Sequence, residues 1–312
     1  MTSLGTEQAT ALRRMLIDTV EQPAPRRAPK RPLIAGLIAV PLALALVVGA
    51  VVFSPNPDAA QAAEALRDAA NRTITVSDPV VGPGQYLKTT TEQAYLGYEV
   101  NAEGEYSAYR ASMVTEVFTP ADPGEDWVQR VTASPATDFY GEASHAAAKR
   151  DWASTVKDGV VRVTRASDGN FVHVQELGGD VAEQALPKDP KEALTFLYEA
   201  PYGKRTEVAA LAYAAELLRE GSLVAEQRST LYRALALLPG IRITDGNASL
   251  NGRTGIAFSI DADTSSPEIL VDPATGQFIG ERTLTPAAQG PIPSGTIEDY
   301  TAVTVTVVDE AP

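Results

Sequence analysis

Histidine is the side chain best suited to move protons near neutral pH, and this chain has only two. His145 follows Gly141-Glu-Ala-Ser144, and His173 lies between Val172 and Val174 in a strand-like stretch. A Ser-His-acid triad needs a serine on a sharp turn, and the sequence has no Gly-x-Ser-x-Gly elbow. His145 therefore reads as a polar loop or helix-start residue, and His173 as a sheet-face residue. Two lone histidines make a poor transition-metal site. The absence of cysteine removes thiolate zinc sites, disulfide scaffolds and lipid-modified cysteine anchors.

Carboxylates are plentiful but unplaced. Asp261-Ala-Asp263-Thr-Ser265 resembles the start of a calcium loop. Position six, however, is Ser266 instead of glycine, Pro267 follows, and position twelve is Asp272 instead of glutamate. An acidic interstrand turn fits better. Asp122, Glu125 and Asp126 before Trp127 read as a solvated loop, and Gly178-Gly179 is too isolated to cradle a phosphate. Trp127 and Trp152 read as core anchors. Two acids facing each other across a cleft would serve glycoside chemistry, but sequence cannot locate an opposing pair. No catalytic, cofactor-binding or metal-binding residue is assigned. The expectation is a protein that is not an enzyme and needs no cofactor.

The positioning elements begin with a membrane segment. Residues 32–53, PLIAGLIAVPLALALVVGAVVF, carry no charge and follow Arg26, Arg27, Lys30 and Arg31. At about 1.5 Å per residue the run spans roughly 33 Å, enough for a bilayer core of about 30 Å. The basic tail predicts a cytoplasmic amino terminus and everything after Ser54 outside. A cleaved signal peptide is the rival, with Ala60-Gln61-Ala62 as its small-x-small site. The apolar run is too long for that, the preceding tail is long, and the alanines belong to a helix-forming stretch. An uncleaved single-pass plasma-membrane anchor is expected. Pro41 is tolerable in such a helix, and Ala35, Ala39 and Ala43 form a small-residue row.

The tail 1–31 holds six bases and three acids, net +3; the other residues hold twenty bases and thirty-seven acids, net −17. So acidic an exterior repels nucleic acid and anionic headgroups, which excludes a nucleic-acid partner there. In the tail, Arg13 and Arg14 with the Leu12, Leu16, Ile17 stripe suit a short helix. Such a helix would meet a cytoplasmic regulator, or the segment would merely lie on the membrane or stay disordered.

Residues 54–57 form a proline-broken stalk, and 58–312 an extracytoplasmic α+β domain. Asp58 caps an alanine-rich helix to about Asn71. From Tyr86 to Leu177 the pattern alternates: Tyr109, Ala111, Met113 and Val117 share one face, and Arg110, Ser112 and Glu116 the other. Three helices follow: one capped by Asp189 ahead of Pro190, one over Thr206–Glu220, and one over about Ser222–Leu238. Strands then resume, with Asp272-Pro-Ala-Thr-Gly276 as a hairpin loop. Strands, a helical block and strands again predict a curved antiparallel sheet with about three helices on it.

The chain resembles a family of actinobacterial single-pass membrane proteins of unknown function. The likeness rests on the ordered segments AAEALRDAA, Gly-Pro-Gly-Gln-Tyr86, LPKDPKEALTFLY (Leu186–Tyr198), AAELLRE (Ala214–Glu220), LYRALALLPGI (Leu231–Ile241) and VDPATGQFIGERTL (Val271–Leu284). Genes of that family often sit beside one for an extracytoplasmic-function sigma factor. The resemblance thus implies an envelope-signalling link and a regulatory protein partner, with no catalytic residues to carry over. A membrane-anchored interaction or sensing protein is the leading expectation. A half-barrel carrier of an apolar ligand and an envelope hydrolase are the alternatives.

Overall fold

A computed structural model describes residues 57–76, 78–101, 104–122, 124–169, 171, 186–199, 205–260 and 267–312. The expected membrane span at 32–53, its basic tail, His173 and the acidic turn at 261–266 lie outside these residues. Among the described residues no helix is long and apolar enough to cross a membrane.

The fold is α+β, built on one antiparallel sheet of nine strands. Helix α1 (Pro57–Thr75) leads into β1 (Tyr86–Val100), β2 (Tyr106–Pro120) and β3 (Trp127–Tyr140). Then come α2 (Ser144–Thr155), β4 (Val161–Ala166), and helices α3 (Pro190–Tyr198), α4 (Glu207–Arg219) and α5 (Ala225–Leu235). The chain closes with β5 (Ile241–Leu250), β6 (Arg253–Ile260), β7 (Glu268–Val271), β8 (Phe278–Leu284) and β9 (Ile297–Val308). The strand order β4-β3-β2-β1-β9-β8-β7-β6-β5 sets the last strand beside the first and joins two meanders at β1–β9. Sequential antiparallel neighbours make each half without any crossover, with α2 inserted between β3 and β4.

Register assigns the faces. Tyr95 of β1 pairs with Ala111 of β2 and with Asp299 of β9, so those three side chains share a face, as do Thr301, Val303 and Val305 further along β9. Val303 and Val305 pack beneath α1, α3, α4 and α5 in the main core, with Phe258, Ile269 and Phe278. On the same face α2 sets Ala147 and Ala148 onto Tyr109 and Ala111. All five helices therefore cover one side. On the other side Ala248 and Leu250 pack on Leu270, Ile279 and Ala302, and Ile292 covers Leu96 and Ala108. The β5–β6 turn reaches back over this side: Asn251 donates to Glu92 at 2.8 Å, and Arg253 to the Val303 carbonyl at 2.7 Å.

Capping follows two routes. Asp189 caps α3 locally, accepting from the amides of Lys191 and Glu192 at 2.9 and 3.1 Å, with Pro190 first in the helix. Helix α5 begins after Val224, which has no acceptor side chain. Asp78, from the α1–β1 connection, supplies one instead: it accepts from Ala225 N–H at 2.7 Å and pairs with Arg228 at 2.6 Å. Helix α2 has a weaker sequence signature than the others. Its periodicity is carried by small alanines, and the pattern reading of 86–177 as mainly strand passes over it.

Candidate functional site

The most distinctive chemistry lies on the helical face where β1 and β9 meet. Tyr95 and Asp299 are direct cross-strand partners there, and Thr283 of β8 flanks Asp299 on its far side. Asp299 is half-buried. Burial is the main cause that lifts its carboxyl to about 7, and the Glu281 charge adds to it. Thr283 opposes the rise by donating a hydrogen bond at 3.2 Å. Glu281 itself accepts from Arg219 of α4 at 2.6 Å. Burial also raises the neighbouring Glu298, and raises Glu220 at the end of α4 with help from Glu216. One carboxyl held near neutrality beside one tied to a guanidinium is an arrangement that can exchange a proton at physiological pH.

Beside it stands a tyrosine–carboxylate pair. Gly97 lies opposite Tyr109 in the β1–β2 ladder, and a Cβ there would sit 2.8 Å from the tyrosine ring. The missing side chain lets the ring lie flat, and its hydroxyl donates to Asp151 of α2 in a very short hydrogen bond. Burial and the Asp151 charge raise the Tyr95 phenol. A cavity of about 30 Å³ separates α2 from the sheet here, bordered by Tyr95, Met113 and Trp152, with room for about one water. An adjoining open cleft of about 220 Å³ is bordered by Tyr109, Glu99, Arg150 and Asp151.

The residues weighed from sequence fall elsewhere. His145 is the second residue of α2 and stacks on Phe139, with ring centroids 3.8 Å apart. Asp272 caps its own turn, accepting from Ala274 N–H and the Thr275 hydroxyl, both at 2.8 Å. Asp122 accepts from Gly124 N–H and Asp126 from Ser167, and the 122–126 loop is exposed where described. Trp127 covers Gly169, where a Cβ would meet its ring at 2.5 Å. Among the described residues no cluster of three metal-ligating side chains occurs.

Asp299 and Tyr95 escape a sequence reading because their meeting depends on β9 pairing with β1, some two hundred residues away. The one available signal is the acid pair Glu298-Asp299 inside a strand otherwise rich in valine and threonine. Among the described residues the buried Ser229 and Tyr232 hydroxyls of α5 and Nη1 of Arg110 find no partner. The chain matches no protein-family model and no curated protein.

Proposed function

We propose that this chain is a membrane-anchored extracytoplasmic interaction or sensing protein tied to envelope signalling, acting through its α+β domain rather than through catalysis. The observation that carries the reading is the uncharged 32–53 run behind a basic tail, with a folded domain beginning directly afterwards at Pro57. The resemblance to the actinobacterial membrane family supports the envelope link. Asp299, poised to titrate near neutral pH, supports a sensing role. The bilayer through 32–53 and a regulatory envelope protein are its partners, with the amino terminus inside.

The experiment is cross-linking of the full chain in native membranes, followed by recovery of covalent partners from the exterior and tail sides separately. A reproducible envelope or regulatory partner is expected. Recovery of lipid alone, from every labelled position, overturns the reading.

The Asp299–Glu281 neighbourhood favours one second reading, an envelope hydrolase. Such an enzyme needs two carboxyls with different surroundings, and here burial raises Asp299 while Glu281 accepts a hydrogen bond from Arg219. Release of soluble sugar from isolated cell-wall polysaccharide by the protein, lost in Asp299→Asn, would establish it; no release ends it. The apolar-carrier alternative gains no support from the two cavities described, one of water size and one bordered by charge.

A further inference from the structure

The loop between β8 and β9, residues 285–296 (TPAAQGPIPSGT), contains no charged residue, in a chain of net charge −14. Residues 286–291 are exposed in succession. The loop is nonetheless tightly built. Thr285 N–H donates to the Thr296 carbonyl at 2.8 Å, and Gln289 and Ile292 exchange backbone bonds at 2.9 and 3.0 Å. The Thr285 hydroxyl donates to the Pro293 carbonyl at 2.8 Å, and fully buried Ile292 plugs the loop onto Leu96 and Ala108. Beside it stand Tyr106 and its cross-strand partner Val100, 47% and 52% exposed. A Cβ at Gly290 would lie 3.2 Å from that of Tyr106. Together they make a pre-formed, uncharged surface.

Its place in the fold says what it meets. Asn71 and Thr73 of α1 accept from Arg233 and Arg228 of α5, at 3.1 and 3.2 Å, so the two helices run antiparallel. Helix α5 leads into Ile241, which pairs with Ile260, and α1 therefore begins toward that end of the sheet. The β7–β8 turn marks the opposite end, where Gly276 abuts Ala69 and Thr73 in the second half of α1. From Asn71 back to Pro57 the helix rises about 21 Å. Strand β8 runs roughly 20 Å from the same turn to Leu284, where the uncharged loop departs. The amino end of α1 and the loop thus lie at one end of the sheet.

The sequence leaves only residues 54–56 between the uncharged 32–53 run and Pro57. Four Cα-to-Cα steps reach at most about 14 Å. Ala62, Leu66 and Ala70 are fully buried, so α1 moves with the domain it belongs to. A domain tethered this closely sets the end with loop 285–296 against lipid.

We propose that loop 285–296, with Val100 and Tyr106, is a membrane-contact surface that rests in the headgroup layer beside the anchor. Tyrosine suits that layer, with an apolar ring and a polar tip. An uncharged loop gives up no ionic hydration there, and its internal bonds keep its backbone satisfied. Glu105, next to Tyr106, is tied to the Asn101 amide at 2.9 Å and favours zwitterionic over anionic headgroups. The proposal rests on the reading of 32–53 as a membrane span and adds the orientation in which the domain is held.

The chain lacks cysteine, so single cysteines can carry a fluorophore on the full chain in phosphatidylcholine nanodiscs. Ala288→Cys lies in the loop and Ala274→Cys at the opposite end of β8, both at exposed positions. Quenching by a lipid with a nitroxide on its headgroup is at least about five-fold steeper for Ala288→Cys, because the headgroup layer is thin beside the length of β8. With Ala287→Glu and Ala288→Glu together, the slope read from Gln289→Cys falls at least about two-fold, as charge draws the loop back into water. Equal slopes at the two ends, a steeper slope at Ala274→Cys, or a slope indifferent to the two glutamates overturns the proposal. So does a photo-cross-linker at Ala288 that captures a protein in native membranes, a second copy of the chain included, in place of lipid. Flotation separates the two levels of failure. A chain that floats with vesicles but shows equal slopes loses the contact surface alone, and a chain that stays in the soluble fraction loses the membrane span with it.

Discussion

Asp299 couples the fold to pH with a definite sign. In the unfolded chain an aspartate ionises near its ordinary 3.8, and in the folded chain this one holds its proton to about 7. Below about pH 4 both states are protonated and nothing is lost. Between about 4 and 7 the folded state binds more protons than the unfolded one, so stability falls as pH rises, and the loss is complete above about 7. Asp299→Asn keeps an acceptor for Thr283 and removes the charge. Urea unfolding should therefore show the variant equal to the parent near pH 4 and more stable by on the order of 2 kcal/mol at pH 8. Glu298 and Glu220, raised in the same direction, leave a residual slope. A parent and variant with parallel profiles across pH 4–8 would refute the burial of this carboxyl. No sequence argument singles out Asp299, since its shift comes first from burial in the folded chain and then from Glu281 on β8. The hairpin glycine of 272–276, by contrast, is legible at once.

At the scale of elements, the helix stripes and capping signals locate α3, α4 and α5 to within a few residues, because capping and amphipathic period are local properties. Helix α1 runs a turn beyond the expected Asn71, to Thr75. Helix α2 is missed because its apolar face is made of alanines that become a face only against Tyr109 and Ala111. The tertiary cap of α5 is equally invisible, as Asp78 lies far away in sequence. Asp78→Ala should cost on the order of 2 kcal/mol or more, since it uncaps Ala225 and strands the largely buried Arg228. Asp189→Ala, at an exposed local cap, should cost about 1 kcal/mol. Equal losses in chemical denaturation would show that Asp78 is no structural cap. Turn docking gives a matched contrast. Gly276 and Gly252 both have positive φ, +71° and +73°, but a Cβ at Gly276 would lie 2.3 Å from the Ala69 carbonyl oxygen of α1, whereas at Gly252 it meets nothing. Gly252→Ala should cost about 1 kcal/mol for its backbone alone. Gly276→Ala should exceed that by at least about 2 kcal/mol, because two backbones must separate. Similar melting points for the two variants would deny that the β7–β8 turn docks on α1.

For the whole molecule, alternation and the absence of βαβ units make the antiparallel α+β class readable, while strand order stays hidden. Nothing local in β9 says that it pairs with β1 rather than with β8 alone. That single pairing brings Tyr95 to Asp299 and makes one sheet from two meanders. The proposed membrane arrangement is the reverse case: it rests on composition alone, on the uncharged 32–53 run and the basic residues before it. Native cysteine is absent, so single introduced cysteines report topology without background. Asn247→Cys lies at an exposed position of β5, and Ser3→Cys lies in the amino-terminal tail. In intact spheroplasts a membrane-impermeant maleimide should label the first and spare the second until the membrane is opened. Exchanging Arg26, Arg27, Lys30 and Arg31 for glutamine should weaken that asymmetry, because the basic flank sets the orientation. Labelling of Ser3→Cys with protection of Asn247→Cys would invert the topology. Release of the Asn247→Cys chain from the membrane fraction at a size lacking residues 1–62 would replace the anchor by a cleaved leader.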